Sequence, residues 1–399
     1  MPSPLHSAFS VICVVGGISA AAASGAERFR LNDTGMTQCL VHVDQHRAWS
    51  PQCLKSGQDA EFGRDANHSD PRDGAAGFRF SKVCRSGEMA GEGSCPADPV
   101  LGDGPDNWGC VRDDVTKLTW EAKTNDQGVH DHLRKFTNKG TPLDPLDAAW
   151  LIDATNSDGL CGSNRWRLPD MLEFHSIMHY GMGVGNSGAP LFDPDFFIYS
   201  PATDNNWTST VNGAFHEYYR IWQNDFGWSA KSERPAIPQF VRLVYGSARA
   251  VAKGRFAPSL DGTEVTDTLT GLVWRRCTEG MTWNNSAQSC DGTPTLFEPR
   301  ETFKYARAAG KGWRVPNIKE LYSIVDNSVN YLSFPSIDAF AFPNTPADFF
   351  YTSTFGENDI KWNYHAPHVQ MVSFKGGHTA GGPLRDDHRY LRLVRRESQ

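Results

Sequence analysis

The sequence lacks the features that mark several common protein classes. Lys and Arg number 39 against 46 Asp and Glu, a formal net charge of −7, so no basic field is available to displace nucleic-acid counterions. After the N-terminal stretch, no apolar run approaches the roughly 18 residues that a membrane helix needs. Gly-x-Ser-x-Gly, phosphate-binding, dinucleotide-binding and His-Glu-x-x-His motifs are also missing. The sequence therefore argues against a nucleic-acid partner and a membrane span, and it contains no familiar catalytic motif.

Charged residues are missing altogether from the first 26 positions, because no Asp, Glu, Lys or Arg precedes Glu27. Phe9 to Ala23 is a run of apolar and small residues, and small residues follow it. This pattern predicts a secretory signal peptide over 1–26. We therefore expect a periplasmic or extracellular location, including the cell surface.

The cysteine count fits an exported chain. Nine cysteines occur, and removal of Cys13 with the signal peptide leaves an even number, as an oxidising compartment favours. No Cys-x-x-Cys pair is present, which argues against structural zinc. The sequence alone cannot choose among 105 connectivities. Short loop lengths suggest Cys39 with Cys53, Cys84 with Cys95, and Cys277 with Cys290, leaving Cys110 for Cys161.

An internal duplication organises the rest of the chain. Five landmarks recur in the same order, at offsets of 154, 147, 145, 144 and 150 residues. The first copies are Asp113–Trp120, Trp166–Ile177, Pro190–Asp193, Trp207–Thr210 and Val241–Val244, and the second copies are Asp267–Trp274, Trp313–Ile324, Pro335–Asp338, Tyr351–Thr354 and Leu391–Val394. We predict two homologous modules, 105–248 and 254–397, preceded by a cysteine-rich extension over 27–104.

The landmarks also predict local structure. Asp170 and Asn317 follow a proline and precede apolar residues at helical spacing, with Glu173 and Glu320 three residues later, as in a helix capping box. Short β-branched and apolar runs elsewhere favour strands. The predicted fold class is therefore α+β. Each module has short antiparallel strands and one or two helices, and a disulfide-pinned N-terminal extension packs against the first module.

Two details of this scheme concern the repeated residues. Lys117 stands in the first copy where Gly271 stands in the second, which allows the turn in the first copy to differ. The recurring tryptophans are expected to be core residues, buried in a separate core in each module. They are Trp120, Trp166, Trp274 and Trp313.

These landmarks resemble the Lcl C-terminal domain family, which is named after a bacterial collagen-like adhesin. The residues that carry the resemblance are Thr270–Trp274, Trp313–Leu321, Phe342–Thr345, Tyr351–Thr354 and Tyr390–Val394. The resemblance implies binding to host glycans, although no Gly-X-Y run is present here to form a collagen trimer. The Trp-Arg-Leu-Pro…Glu pattern also resembles the helix start of C-type-lectin-like and formylglycine-generating-enzyme-like domains, which implies a C-type-lectin-like module.

Aromatic residues that do not recur between the copies are the best ligand-binding candidates, because flat rings present apolar faces to sugar C–H groups. They are Trp222, Trp228, Trp283 and Trp362, together with Tyr364.

Metal sites are less favoured. His175 and His179 lie at i and i+4 of a predicted helix, but the second copy has Tyr322 and Asp326 at those positions. His130 and His132 flank Asp131, but no third ligand is identifiable. Acidic loops suit calcium but lack the EF-hand order, so solvated loops are favoured and no cofactor is predicted. These loops contain Asp59, Asp65, Asp70, Asp73, Asp103 and Asp106.

The sequence therefore favours an exported, non-catalytic binding or adhesion protein that recognises glycans or other cell-surface components. Two alternatives stay open. One is an exported enzyme on a formylglycine-generating-enzyme-like scaffold, and the other is a structural subunit of a surface or pilus assembly.

Overall fold

The computed structural model describes residues 30–41, 48–63, 77–183, 191–200, 205–211, 219–223, 229–246, 254–329, 335–356, 368–383 and 388–396. The predicted signal peptide lies outside these residues. No helix within the described ranges has the length and hydrophobicity needed to cross a lipid bilayer.

The two modules contain equivalent elements in the same order, and all their strand pairs are antiparallel. In module 1 they are β3 Phe80–Cys84, β4 Trp108–Asp113, β5 Thr119–Glu121, α1 Ala148–Asp158, α2 Met171–Ser176, β6 Asn205–Val211, β7 Tyr219–Gln223, β8 Ser229–Glu233 and β9 Val244–Tyr245. In module 2 they are β10 Phe256–Pro258, β11 Glu264–Asp267, β12 Leu272–Arg275, β13 Thr282–Asn284, β14 Ser289–Asp291, α3 Pro299–Ala309, α4 Ile318–Ser323, β15 Phe349–Gly356, β16 His368–Ser373, β17 His378–Pro383 and β18 Val394–Arg396.

Each module has a four-stranded and a three-stranded sheet. The four-stranded sheets have the orders β3-β4-β5-β9 and β10-β11-β12-β18, and the three-stranded sheets are β6-β7-β8 and β15-β16-β17. A small extra hairpin, β13-β14, belongs to module 2 alone among the described residues. The prediction of an α+β fold with small antiparallel sheets is confirmed. The first strand of module 1, β3, comes from residues that the sequence assigned to the extension.

The predicted helix starts are confirmed in both copies. The side chains of Asp170 and Asn317 accept hydrogen bonds from the backbone N–H of Glu173 and Glu320, and both capping boxes are complete. Each glutamate also forms a two-bond ion pair with the arginine of the landmark. The two terminal nitrogens of Arg167 each donate to one carboxylate oxygen of Glu173, both at 2.7 Å. Arg314 and Glu320 make the same pair of hydrogen bonds in the second copy. These glutamates therefore have a structural role.

The turn before β5 has the same shape as its copy before β12. Lys117 has φ +64° and Gly271 has φ +73°, and each N–H donates to the carbonyl of the preceding aspartate landmark, Asp113 or Asp267. The aspartate side chains accept further bonds from the threonine inside each turn. The lysine therefore does not change the turn, but adopts a left-handed conformation that glycine tolerates better.

Among the described residues there are four disulfides: the three pairs that short loops suggested and the remaining pair. They are Cys39–Cys53, Cys84–Cys95, Cys110–Cys161 and Cys277–Cys290. Disulfide use on this scale is typical of an oxidising compartment outside the cytosol.

The N-terminal extension does not pack against the first module alone, as the sequence suggested. We call residues 30–41 and 48–63 the clasp; they contain β1 Cys39–Val41 and β2 Ala48–Ser50. The clasp touches module 1 through Asn32, whose amide donates to Asp113 at 2.6 Å. It then crosses to module 2, where Thr354 donates a hydrogen bond to the buried Asp59. The clasp therefore ties the two modules together.

The two modules also share a core, which corrects the expectation of two independent ones. One buried cluster contains Trp120 from module 1, Trp274 from module 2 and Met36 from the clasp, and each module adds a smaller cluster of its own. Helices α2 and α4 are in contact. The distance between the ring centres of His175 and Tyr322 is 5.0 Å.

The four recurring tryptophans are buried, as predicted. Trp166 and Trp313 occupy equivalent places in the smaller clusters, beside the equivalent side chains of Tyr245 and Arg395.

A buried lysine completes the junction between the modules. Lys319 of α4 is 1% exposed, and its ammonium donates to the carbonyl oxygens of Asp33 and Ser176. It also lies 4.6 Å from the ring centre of Phe78. At the equivalent position, module 1 has the apolar Leu172. The lysine therefore bonds the clasp and α2 to module 2 in a way that the first copy cannot reproduce.

Candidate functional site

Of the five aromatic binding candidates, the side chain of one, Trp283, can be placed. Trp228, Trp362 and Tyr364 lie outside the described residues, and for Trp222 only its backbone in β7 is described.

Trp283 occupies the centre of β13, where it pairs with Cys290 of β14. The Cys277–Cys290 disulfide fixes the hairpin to the end of β12. The indole is therefore held on a small rigid element rather than on a long loop.

The indole ring stacks on a buried arginine. The guanidinium carbon of Arg276 lies 3.7 Å from the centre of the Trp283 ring, and Arg276 itself is 3% exposed. Its nitrogens donate to the carbonyl oxygens of Ala341 at 3.2 Å and Phe340 at 2.9 Å, which fixes the guanidinium. A desolvated cation–π contact of this kind contributes about 2 kcal/mol and locks one face of the ring.

A glycine turn covers one edge of the same ring. Gly262 has φ +72°, and a Cβ there would lie 2.2 Å from Trp283 Nε1, so no larger residue fits. Nε1 is buried and has no hydrogen-bond partner among the described residues, while the side chain as a whole is only half-buried. The exposed part of Trp283 is therefore the rest of the indole, not its N–H edge.

A second aromatic ring lies beside the arginine. Phe340 is 73% exposed, and its ring centre is 5.8 Å from the Arg276 guanidinium. Both rings face the same guanidinium, so the exposed phenyl group and the half-buried indole flank Arg276.

Polar side chains are fixed on the other face of the same hairpin, because side chains alternate along β13 and Asn284 follows Trp283. Asn284 donates to Asp291 at 2.6 Å across the hairpin, and Asn344 donates to Ser289 and to the Cys290 carbonyl, both at 2.9 Å. We call the β13-β14 hairpin and its neighbours the hairpin platform and define it by Trp283, Phe340, Arg276, Asn284, Asp291 and Asn344. It combines flat apolar area with fixed amide and carboxylate groups.

The predicted histidine pair is packed inside the protein, and the two residues do not share a helix, because α2 ends at Ser176, before His179. His175 and His179 are both buried, and His175 Nε2 lies 2.5 Å from the Tyr180 hydroxyl. Burial, and then the charge of Lys319, lower the pKa of His179 to about 4 and hold that of His175 well below its ordinary value. In the described ranges, no three His, Cys, Asp or Glu side chains are arranged to share a metal ion.

Module 1 contains a charged cluster that the sequence reasoning missed. Glu121 is fully buried, with Lys123 Nζ 2.6 Å and His130 Nδ1 2.8 Å from the same carboxylate oxygen. Burial opposes ionisation, but the charges and hydrogen bonds of Lys123 and His130 lower the pKa of Glu121 to about 2. His132 turns its Nδ1 to the Thr124 carbonyl at 3.1 Å.

Only one weak signal in the sequence points to this cluster, a reversal of charge at Glu121 between the copies. Glu121 corresponds to Arg275, and Lys123 corresponds to Cys277. Positions of this kind are not detected when the two copies are compared only for the residues that they share.

The predicted acidic loops separate into different environments. Asp59 is buried in the clasp, whereas Asp103 and Asp106 are near Arg85 and Ser94 on the surface of module 1. Asp65, Asp70 and Asp73 lie outside the described residues. The described members therefore do not form one site.

Comparison with known families fits the duplicated fold. The family model described as the Lcl C-terminal domain matches residues 109–245 and, a second time, residues 263–395. The two matches cover about two thirds of the chain, so the protein belongs to the Lcl C-terminal domain family and carries two copies in tandem. No curated protein matches the chain.

Proposed function

We propose that the protein is an exported binding or adhesion protein that recognises carbohydrate through the hairpin platform of module 2. The observation that carries this proposal is the half-exposed Trp283, locked by Arg276 beside the exposed Phe340. We also propose that each module is a C-type-lectin-like unit, and that the signal peptide directs export and is then cleaved.

The platform has the physical properties that sugar recognition needs. A pyranose ring has an apolar face of C–H groups that packs on an aromatic ring, and an edge of hydroxyl groups that needs directed partners. Trp283 and Phe340 supply the first, and a saccharide that extends over the edge of the hairpin meets Asn284, Asp291 and Asn344, which supply the second. Because Arg276 and the disulfide already fix the tryptophan, little conformational entropy is lost on binding.

Binding to a glycan array, followed by titration of the best saccharide, tests the proposal. Trp283→Ala and Phe340→Ala should each weaken binding about tenfold or more, equivalent to about 1.4 kcal/mol. Trp222→Ala and Trp362→Ala test the other predicted aromatics in the same assay.

Trp150→Ala in module 1 is the matched control, because Trp150 is also half-buried and has a guanidinium, that of Arg134, 5.9 Å from its ring. It should leave binding unchanged. Failure of every glycan to bind, or full binding by both Trp283→Ala and Phe340→Ala, would contradict the proposal.

One observation favours a second candidate function, an exported enzyme. The Glu121 carboxylate accepts from His130 Nδ1, which leaves Nε2 of the same ring as the atom that could accept a proton from a substrate. If module 1 is catalytic, Glu121→Gln should abolish turnover in a screen of model ester, amide and glycoside substrates. Absence of turnover by the unmodified protein across that screen would remove the support for this candidate.

A further inference from the structure

A groove with a volume of about 240 Å³ lies where the clasp crosses α3 of module 2. It is separate from the hairpin platform, because none of the platform residues lines it. We propose that this groove is a second binding site, for a small organic carboxylate with an aromatic or aliphatic body.

The floor of the groove is apolar and well defined. It is formed by Leu40 of the clasp, Phe303 of α3 and Phe355 of β15, all buried. The ring centres of Phe303 and Phe355 are 5.9 Å apart, with their planes inclined by 39°. Two rings at this angle form a shallow V that accepts the side of a flat or branched hydrocarbon.

The clasp wall of the groove is held in place by backbone contacts. Gly57 has φ +77°, and a Cβ there would lie 3.1 Å from Phe303, so the main chain lies directly on the ring. The Gln58 side chain bonds both the N–H and the carbonyl of Leu40, at 2.8 and 2.9 Å. The width of the groove is therefore set by ordered structure before any ligand arrives.

Two arginines supply the charge. Arg300 and Arg307 line the groove from the same helix, seven residues and thus about two turns apart, which places them on one face of α3. Arg307 donates one hydrogen bond to the Lys55 carbonyl, and its guanidinium has further N–H donors. Ser56 adds a hydroxyl to the lining. A carboxylate is the group that matches the fork of a guanidinium.

Comparison of the two copies shows that the duplicated fold does not require these residues. Helices α1 and α3 have equal lengths, and in α1 the positions of Arg300, Phe303 and Arg307 are occupied by Ala149, Ile152 and Asn156. The Asn156 amide is used for the backbone of Trp166. Module 1 therefore keeps its helix without the arginines or the aromatic ring. The groove is a feature of module 2 and the clasp.

Isothermal titration of the full exported chain with 2-naphthoate, and with its neutral analogue 2-naphthamide, tests the proposal. We expect saturable binding of the carboxylate and at least tenfold weaker binding of the amide. Arg300→Gln and Arg307→Gln should each weaken naphthoate binding about tenfold. Two variants are used because Arg307 also holds Lys55, and thermal melts confirm that both variants are folded.

Lys304→Gln is the matched control, because Lys304 is exposed on α3 but does not line the groove. It should leave binding unchanged, and so should Trp283→Ala, which separates this site from the hairpin platform. Absence of naphthoate binding, equal binding of the amide, or full binding by both folded arginine variants would overturn the proposal.

Discussion

Replacing Lys117 with glycine should make the protein more stable, although lysine usually stabilises a surface better than glycine does. Lys117 has φ +64°, in the left-handed region, and its side chain is exposed. The second copy of the same turn uses Gly271, with φ +73° and the same hydrogen bond to the aspartate carbonyl. The duplication thus provides an internal comparison of lysine and glycine in one conformation.

The size of the effect follows from two opposing contributions. A left-handed conformation costs a residue with a Cβ about 1–2 kcal/mol. Glycine avoids that cost but loses about 0.5–1 kcal/mol through the greater freedom of its unfolded chain. Lys117→Gly should therefore raise the free energy of unfolding by about 0.5–1 kcal/mol. In a chain of this length, that corresponds to about 1–2 °C in Tm.

Urea denaturation followed by tryptophan fluorescence measures the change. Lys117→Ala is the control, because alanine keeps the Cβ and should give no gain. Gly271→Ala should destabilise the second copy by about 1 kcal/mol or more. If Lys117→Gly is no more stable than Lys117→Ala, the interpretation of this turn as strained is wrong.

Three further predictions concern the junction between the modules and its titrating groups. Burial, and then the charge of Asp33, raise the pKa of Asp59 to about 7, so this carboxyl stabilises the fold at low pH and loses that contribution between pH 4 and 7. The free energy of unfolding of Asp59→Asn, measured by urea denaturation, should therefore rise by about 2–3 kcal/mol relative to that of the unmodified protein as the pH goes from 5 to 8. If the difference between the two proteins is the same at pH 5 and pH 8, this prediction is wrong. His179 and His368, whose pKa values burial lowers to about 4, act in the opposite direction, and the Asp59→Asn protein should lose stability as the pH falls below 6.5. If the stability of Asp59→Asn does not change below pH 6.5, neither imidazole stays neutral in the folded protein. Finally, calorimetry should show one cooperative transition, because both modules share a core cluster, whereas two separated transitions would show that they unfold independently.

Local features of the fold could be predicted because their causes are close together in the sequence. The capping residues Asp170 and Asn317 lie three positions from their glutamates, and three of the four disulfides close short loops. The duplication made each of these inferences stronger, because the same spacing appears twice.

The features that the sequence did not predict depend on contacts between distant residues. Nothing near Asp59 in the sequence indicates that it reaches Thr354, 295 residues away. The burial of Lys319 is equally hidden, because a lysine next to a helix cap is usually exposed and the other copy has leucine there. The shared core could not be inferred either, because an apolar helix face predicts burial but not the partner that covers it.

The candidate site was predictable only in part. The rule that non-recurring aromatics are free to bind ligands selected Trp283, but it could not supply Arg276, Gly262 or Phe340, which surround the ring through folding. The same rule ignored the groove residues of α3, since arginine and phenylalanine on a helix are also typical of an ordinary amphipathic surface.

A crystal structure of the protein with its best array saccharide would show whether the hairpin platform binds carbohydrate. We expect a sugar ring stacked on the exposed part of Trp283, near Phe340, with hydroxyl groups bonded to Asn284, Asp291 or Asn344. A saccharide bound elsewhere, with the hairpin platform unoccupied, would contradict it.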